Sequence, residues 1–431
     1  MSITYQPEDK LIFADMVSSG MKKISWASKH MPVLQEIVDS AFIDDQPFEG
    51  LTIAMSIHLE AKTANLALAL KAGGADVHVT GSNVLSTQDD VAIALSGLGV
   101  TVNAIRGVDQ ETYISHLKKT LSCHPHIIID DGGDLVDLLA GECAEYGDRL
   151  IGGCEETTTG IRRLLARESE GSLPCLMFAV NDAKAKHYYD NKYGTGQSVM
   201  TAIMQSTNLV VAGKTVVVAG YGWCGKGIAL RAAGMGADVV VTEVDPFKAL
   251  DALMHGFRVM SMKDAAEIGD IFVTATGCVD VITIEHMRLM KDGALLANAG
   301  HFDCEVSVKD LKEHSIKSPS EVRNNVQMYT ILKDEDTPIT LYLLAEGRLV
   351  NLVSGDGHPV EIMDMSFSVQ ALTAHRLQRL YKSDKHLDKA VYEVPDDIDD
   401  VIGKLKLRTL GVTIDSLTSE QVDYLDSYSG I

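Results

Sequence analysis

The chain has 431 residues, with 38 Lys+Arg against 60 Asp+Glu and a formal net charge of −22. Hydrophobic residues make up 46% and charged residues 23%; this describes a folded chain of two or three domains and excludes a disordered, collagen-like or disulfide-stapled one. The negative field repels phosphate backbones, so sequence-independent nucleic-acid binding is not expected, although a local pocket for a small anion remains open. The seven cysteines (Cys123, Cys143, Cys154, Cys175, Cys224, Cys278 and Cys304) are odd in number and form no C-x-x-C pair. They read as reduced thiols of a cytoplasmic protein, with no zinc site. The opening MSITYQPEDK lacks the apolar core of a signal peptide, and the most apolar run, near Asn208–Gly220, is cut by Lys214, so no membrane span is expected.

In chain order, Thr52–Ile57, Val77–Thr80, Thr101–Ile105 and Ile127–Asp130 are short apolar runs that predict buried strands. Between them, Leu59–Lys71, Thr87–Leu98 and Gln110–Leu121 carry apolar residues at helical spacing. The alternation predicts a parallel sheet covered on both faces, reaching to about Val180. A second α/β unit starts after Asn208, with strands Thr215–Gly220, Asp238–Thr242, Ile271–Thr276 and Ala294–Asn298 and a helix over Lys226–Met235. It ends near Leu352. From Gly355 onward the pattern is mostly helical, with an acidic patch, PDDIDD, and a polar tail. There is no internal repeat of fixed period.

Gly220-Tyr-Gly222-Trp-Cys-Gly225 follows the apolar strand and opens a helix. In that context the first glycine permits the tight turn, the second lets the backbone approach a pyrophosphate, and the third allows close helix–strand packing. Glu243 ends the next strand. A carboxylate there accepts from both ribose hydroxyls and repels a 2′-phosphate, which favours NAD over NADP.

Several polar clusters surround this fingerprint. Lys186 and Asp190 stand at i,i+4 with Asn191 beside them, and the spacing predicts a shared helical face. The pair is either a solvated surface pair or a cleft pair in which lysine takes an alcohol proton as NAD takes hydride. Asp130-Asp131 follow a strand, where a carboxylate faces either the ligand crevice or an ordinary acidic turn. Glu155-Glu156-Thr157-Thr158-Thr159 make a hydrogen-bonding loop suited to sugars. Asn298-Ala-Gly-His301 follow a strand of the cofactor unit, and His301 is either structural or placed at the crevice. His58-Leu-Glu60-Ala-Lys62 follow the first strand, with Glu60 well placed for a helix's first turn.

Together these stretches resemble the S-adenosylhomocysteine hydrolase family. The similarity lies in NVLSTQDD (83–90), DDGGDL (130–135), GGCEETTTG (152–160), VNDAKAKHYYDNKYG (180–194), VVVAGYGWCGKG (216–227), TEVDP (242–246), NAGHFDCE (298–305) and EGRLVNL followed by GHP (346–352, 357–359). The resemblance implies an α/β protein with a Rossmann-type NAD domain (191–352) inserted into a second α/β substrate domain (1–190 and 353–395). A small C-terminal helical segment (396–431) completes the chain, which is expected to form a homotetramer. It also implies a hydrolase of the S-adenosylmethionine cycle that uses regenerated NAD. The ribose 3′-hydroxyl is oxidised, homocysteine leaves by elimination, water adds, and the ketone is reduced.

By similarity, Lys186 deprotonates the 3′-hydroxyl, while Asp190 and Glu156 grip the ribose. Asp131 and His58 handle the C4′ proton and the leaving group or water, with the division between them open. His301 lies by the amino-acid end of the substrate or the reacting ribose. Glu243, Asn191, Asn298, Asn351 and Thr157–Thr159 contact NAD, and His358 gates the cleft and faces the purine.

Three departures from the family pattern stand out. Thr195 replaces a common cysteine. The tail ends SYSGI in place of a Lys/Tyr-rich terminus. Where the commonest form is H-x-T-x-Q or H-x-T-x-E, this chain has His58-x-Glu60-x-Lys62. A lysine only donates, so Lys62 facing O6 and Glu60 facing N1–H match hypoxanthine, and the substrate is expected to be S-inosylhomocysteine. The alternative has Lys62 paired with Asp89 or Asp90 and Glu60 alone receiving the amino group of adenine.

Overall fold

The computed structural model describes residues 7–383 and 387–427. Most of the opening segment MSITYQPEDK (residues 1–6) and the last four residues of the SYSGI ending lie outside the described residues.

Six parallel strands form most of the first sheet: β1 (Thr52–Ser56), β2 (Asp76–Thr80), β3 (Thr101–Val102), β4 (Ile127–Asp130), β5 (Gly152–Glu155) and β6 (Leu176–Ala179). Their spatial order is β6-β5-β4-β1-β2-β3, the doubly wound arrangement, with the order reversing between β1 and β4. Strands and intervening helices share a core in which Ile53, Met55, Ile127, Ile129 and Leu66 are fully buried. The run Thr101–Ile105 pairs only over Thr101–Val102. β6 and β5 are not among the strands expected from the sequence, and two of the four residues of β5 are Gly152 and Gly153. The strand forms because it lies between β4 and β6, where a side chain at Gly153 would overlap Ile128 and crowd Met177.

The second sheet holds β7 (Thr215–Ala219), β8 (Asp238–Thr242), β9 (Arg258–Val259), β10 (Ile271–Thr274), β11 (Ala294–Asn298), β12 (Ser320–Arg323), β13 (Val326–Leu332) and β14 (Pro338–Leu344). The order is β12-β13-β14-β11-β10-β7-β8-β9. From β9 to β14 it repeats the doubly wound pattern, reversing between β7 and β10, and β13 and β12 extend it antiparallel. The expected strands of this unit all form, and the helix after β7 begins at Trp223, immediately after Gly222.

The chain then returns to the first sheet. The helix Val360–Lys382 buries an apolar stripe and also Asp364, Ser366, Gln370 and Thr373. The short β15 (Val391–Glu393) adds parallel to β6. The helix Asp396–Thr409 follows, with Ile398 and Ile402 in the first core. Its Asp399 accepts from the Lys184 and Ala185 amides, each at 2.8 Å, which holds the start of the segment leading to Lys186.

Candidate active site

In a doubly wound sheet the ligand crevice lies outside the carboxyl ends of the strands at the switch point. Both sheets direct these ends into one cavity of about 1120 Å³, above the ~300–1,000 Å³ usual for one small ligand. The register keeps the ends level: Ser56 pairs with Asp130, Asp130 with Glu155 and Glu155 with Ala179. His58, Asp131, Glu156 and Asn181 therefore emerge side by side. From the other sheet come Gly220, Glu243, Ala275 and His301, after β7, β8, β10 and β11 respectively.

Lys186 lies at the centre. It ends a three-residue helical turn that widens at once into a π-helix over His187–Gly194. The expected α-helical face is thus replaced by a wider turn, which suits i→i+5 neighbours and brings both Asp190 and Asn191 to the lysine. Lys186 Nζ lies 2.8 Å from Asn191 Oδ1 and 3.4 Å from Asn181 Oδ1. The carboxylates of Asp190 and Glu156 are at 3.4 and 3.5 Å. This is a buried cleft cluster, with Lys186 4% exposed, and the surface-pair alternative falls away.

Burial disfavours the ammonium, but Asp190 and Glu156 overcome that and hold the Lys186 pKa above its usual value. Asp190 moves down: burial opposes ionisation, and Lys186 and His358 outweigh it. Glu156 is pushed up to about 8 by burial, against the pull of Lys186. The cluster at neutral pH is therefore a charged lysine, an ionised Asp190 and a neutral Glu156. Two residues of the returning helix, one turn apart, complete it. Ser366 Oγ donates to Asp190 at 2.8 Å and Gln370 Nε2 to Glu156 at 2.5 Å. His358 Nδ1 lies 2.8 Å from Asp190 Oδ1. Neither Ser366 nor Gln370 was expected from sequence; two polar residues at i,i+4 inside an apolar stripe are the signal that marks them.

Asp130 and Asp131 point opposite ways. Asp130 is fully buried, accepts from the Val136 and Asp131 amides at 3.1 Å, and is pushed up to about 7 by burial. Asp131 faces the cavity, where its Oδ2 accepts from Ser82 Oγ at 3.0 Å and lies 3.3 Å from His58 Nε2. The other ring nitrogen of His58 meets Ser86 Oγ at 2.7 Å and Ser82 Oγ at 3.2 Å. Burial lowers the His58 pKa to about 4, against the attraction of Asp131, so the ring is neutral. His301 Nδ1 lies 3.8 Å from Asp131 Oδ1. Its approach requires Gly132, whose φ is +112° and whose Cβ would overlap the imidazole.

Glu60 caps the helix Ala61–Ala72, accepting from the Lys62 and Thr63 amides. Its carboxylate also meets Lys62 Nζ at 2.8 Å, and that ammonium donates to the Asp356 carbonyl at 2.5 Å. Asp89 and Asp90 are engaged elsewhere, by the Arg106 amide and by Ser19 and Lys23. The pairing of Lys62 with either acid does not form.

The glycine loop is built for close approach. Gly220 has φ +93° and packs against the Ala275 carbonyl, Gly225 against the Gly220 carbonyl, and nothing lies within 4 Å of a Cβ on Gly222. The Glu243 carboxylate accepts from the Tyr221 and Val244 amides at 2.7 Å and from Asp245 at 3.0 Å, which fixes it beside the loop on the cavity wall. Thr157, Thr158, Thr159, Asn191 and Asn351 also line the cavity. The Asn351 side chain donates to Ser198 and leaves its buried Oδ1 unpartnered. A bare backbone at Gly222, an anchored carboxylate and an orphan amide oxygen fit a dinucleotide. Asn298 is the exception among the expected cofactor contacts. It is fully buried and does not line the cavity; its amide donates to Gly300, Phe302 and Gly347 and accepts from Thr274. It ties the loop that carries His301.

Residues 12–148 match the family model for S-adenosyl-L-homocysteine hydrolase, and residues 191–357 the model for the NAD-binding domain of that enzyme. Over 409 residues the chain is 54% identical to the S-inosyl-L-homocysteine hydrolase of Methanocaldococcus jannaschii, covering 95% of this chain and 96% of that one. It is 52% identical over 409 residues to the adenosylhomocysteinase of Archaeoglobus fulgidus, covering 95% and 98%. To the adenosylhomocysteinase of Pyrococcus abyssi it is 54% identical over 413 residues, covering 96% of each. With this similarity along its length and a cavity that joins a dinucleotide loop to a lysine–carboxylate cluster, the chain belongs to the S-adenosyl-L-homocysteine hydrolase family and is an NAD-binding hydrolase.

Proposed function

We propose that this enzyme hydrolyses the thioether of S-inosyl-L-homocysteine, reversibly, to inosine and L-homocysteine. The observation that carries the choice of purine is the Glu60–Lys62 pair on the cavity wall. Two of the three ammonium protons of Lys62 are engaged, by Glu60 Oε2 and the Asp356 carbonyl, so one donor remains. Glu60 Oε1 is held only by a long contact of 3.4 Å from the Thr63 amide, so one acceptor remains. A donor beside an acceptor complements the O6 and N1–H of hypoxanthine. Adenine fits the same pair only in the reverse order, with its N1 at Lys62 and its amino group at Glu60. The names of the relatives fall on both sides.

NAD, when bound at the glycine loop and held by Glu243, Asn191 and Asn351, supplies a reversible hydride acceptor for the ribose. The protein supplies position and proton transfer. Lys186 exchanges a proton at the ribose 3′ oxygen. Because Asp190 and Glu156 favour its ammonium, it acts as a base only after yielding that proton. Glu156, neutral, and Asp190, ionised, offer a donor and an acceptor to the ribose hydroxyls. His58 is neutral and oriented by Ser86, so it takes or returns a proton at the C4′ and C5′ side together with Asp131. His301 closes this side from the cofactor unit.

The test is thiol release from the inosyl and adenosyl substrates in parallel, with the NAD redox state followed. With the base held in the register that sets O6 at Lys62, the adenine amino group faces the ammonium and a buried polar group is left unpaired at roughly 1–3 kcal/mol, so a preference for inosyl of roughly tenfold or more in kcat/KM is expected. The double variant Glu60→Thr with Lys62→Gln shifts the preference toward adenosyl, since Gln presents a carbonyl to the amino group. Equal or better adenosyl hydrolysis by the unmodified enzyme overturns the purine assignment and leaves the hydrolase intact. NADH accumulating during turnover would mean a dehydrogenase, and absence of turnover on both substrates a regulatory homologue. We further propose a cytoplasmic homotetramer, in support of which Leu410, Ile414, Leu417 and Leu425 leave an exposed apolar run near the chain end; light scattering on the NAD-loaded protein tests the assembly.

A further inference from the structure

We propose, on the roles given above to Asp131 and Glu156, that Glu155 is a positioning residue for the hydrolysis, a clamp whose one carboxyl oxygen ties the loop carrying Asp131 to the loop carrying Glu156. Strands β4 and β5 end at Asp130 and Glu155, which are partners in the parallel register. The next residue of each chain, Asp131 or Glu156, lines the cavity. The residue after that, Gly132 or Thr157, sends its amide back to Glu155 Oε1, each at 2.9 Å. Thr157 Oγ1 donates to the same oxygen at 2.9 Å. Each cavity carboxyl therefore adjoins a residue held by one shared anchor.

The strand ladder does not supply this hold. Past the register pair it adds the bond from the Glu156 amide to the Asp130 carbonyl, at 2.9 Å, and the chain then turns away at Gly132 with φ +112°. Gly132 is also the residue that seats the His301 ring, so the clamp bears on that contact as well. Packing pins the carboxyl in turn. Glu155 is fully buried, and its Cδ would lie 2.1 Å from a Cβ on residue 160, so the helix Thr158–Ser169 starts against it only because that residue is glycine. Glu155 does not itself line the cavity and acts through its neighbours.

The clamp works as a neutral acid. Its Oε2 is buried without a hydrogen-bond partner, and a bare ionised oxygen in such a place is costly. Asp130 and Asp131 act on it with negative charge, and together with burial they hold its pKa well above the ordinary 4.5. Glutamine keeps the shape and the acceptor oxygen; methionine keeps the shape and loses the acceptor.

The experiment measures thiol release by NAD-saturated enzyme on whichever nucleoside substrate it turns over faster. Glu155→Met should lower kcat by roughly 100-fold, as a misplacement of about 1 Å does, whereas Glu155→Gln should keep most of the wild-type kcat. Gly160→Ala drives a methyl into the carboxyl, leaves its donors in place and should reproduce the loss. Melting curves confine the comparison to variants folded at the assay temperature. A double-mutant cycle separates positioning from general loosening: with Asp131 already changed to Asn, the cost of Glu155→Met should shrink by at least about tenfold. Wild-type kcat in Glu155→Met or Gly160→Ala, Glu155→Gln as impaired as Glu155→Met, or full additivity with Asp131→Asn would overturn the proposal alone. Wild-type kcat in Asp131→Asn by itself would overturn the role given to Asp131, and the clamp with it.

Discussion

Replacing Lys186 by methionine isolates the charge balance on which the site depends. The side chain keeps its length and loses its ammonium. Of the two carboxyls beside it, Glu156 is already neutral near pH 7 because burial holds it up to about 8. Asp190, 2% exposed, is the group that loses its counter-charge and keeps Ser366 and His358. Breaking a buried pair from one side costs roughly 3–5 kcal/mol, which at roughly 2–4 °C per kcal/mol lowers the melting temperature by roughly 6–20 °C. The loss carries a pH signature. In the wild type Asp190 titrates below its unfolded value of 3.8, so its stabilising contribution is present above that value and fades as pH falls. In the variant the folded carboxyl titrates above 3.8, so stability falls as pH rises from there. The melting difference between variant and wild type should already be present at pH 5, where the wild-type contribution of Asp190 is complete, and larger at pH 8, with thiol release at background and NAD retained throughout. An equal difference at the two pH values would refute the assignment of Asp190 as the ionised partner.

Three further outcomes are expected. Glu156→Gln removes a group whose folded pKa of about 8 lies above its unfolded 4.5. Wild-type stability falls as pH rises through that window, by up to about 1.4 kcal/mol per pH unit, and the variant should lack this slope in melts from pH 5 to 8. Gly225→Ala sets a methyl against the Gly220 carbonyl and should abolish NAD retention on gel filtration while the first sheet stays folded; unchanged NAD content would count against the loop as the pyrophosphate seat. Asn298→Ala strips buried hydrogen bonds from the His301 loop and should cost roughly 1–3 kcal/mol in stability, with NAD affinity in titrations altered less than by Asn351→Ala.

Much of this protein is legible without coordinates. Strand–helix alternation sets two doubly wound units, because a parallel strand buried on both faces must be a continuous apolar run and its crossover helix must show one apolar face. The glycine fingerprint and Glu243 are local in the chain, so their geometry follows from the turn they make. What spacing could not decide was orientation and partnership. Asp130 and Asp131 are adjacent, and only the fold turns one into the core and the other to the cavity, since successive residues at a strand end point to opposite sides. Asn298 reads as a ligand at a strand end but is consumed by the Gly300 and Phe302 carbonyls of its own loop and by the Gly347 carbonyl from a distant one. Lys186 owes its charge state chiefly to Asp190 and meets Glu156 from thirty positions earlier, and these carboxyls are held by Ser366 and Gln370, far later in the chain. Local propensity determines most of the elements of the two sheets; burial and pairing across hundreds of residues determine which polar groups remain free to do chemistry, and that is a property of the tertiary structure alone.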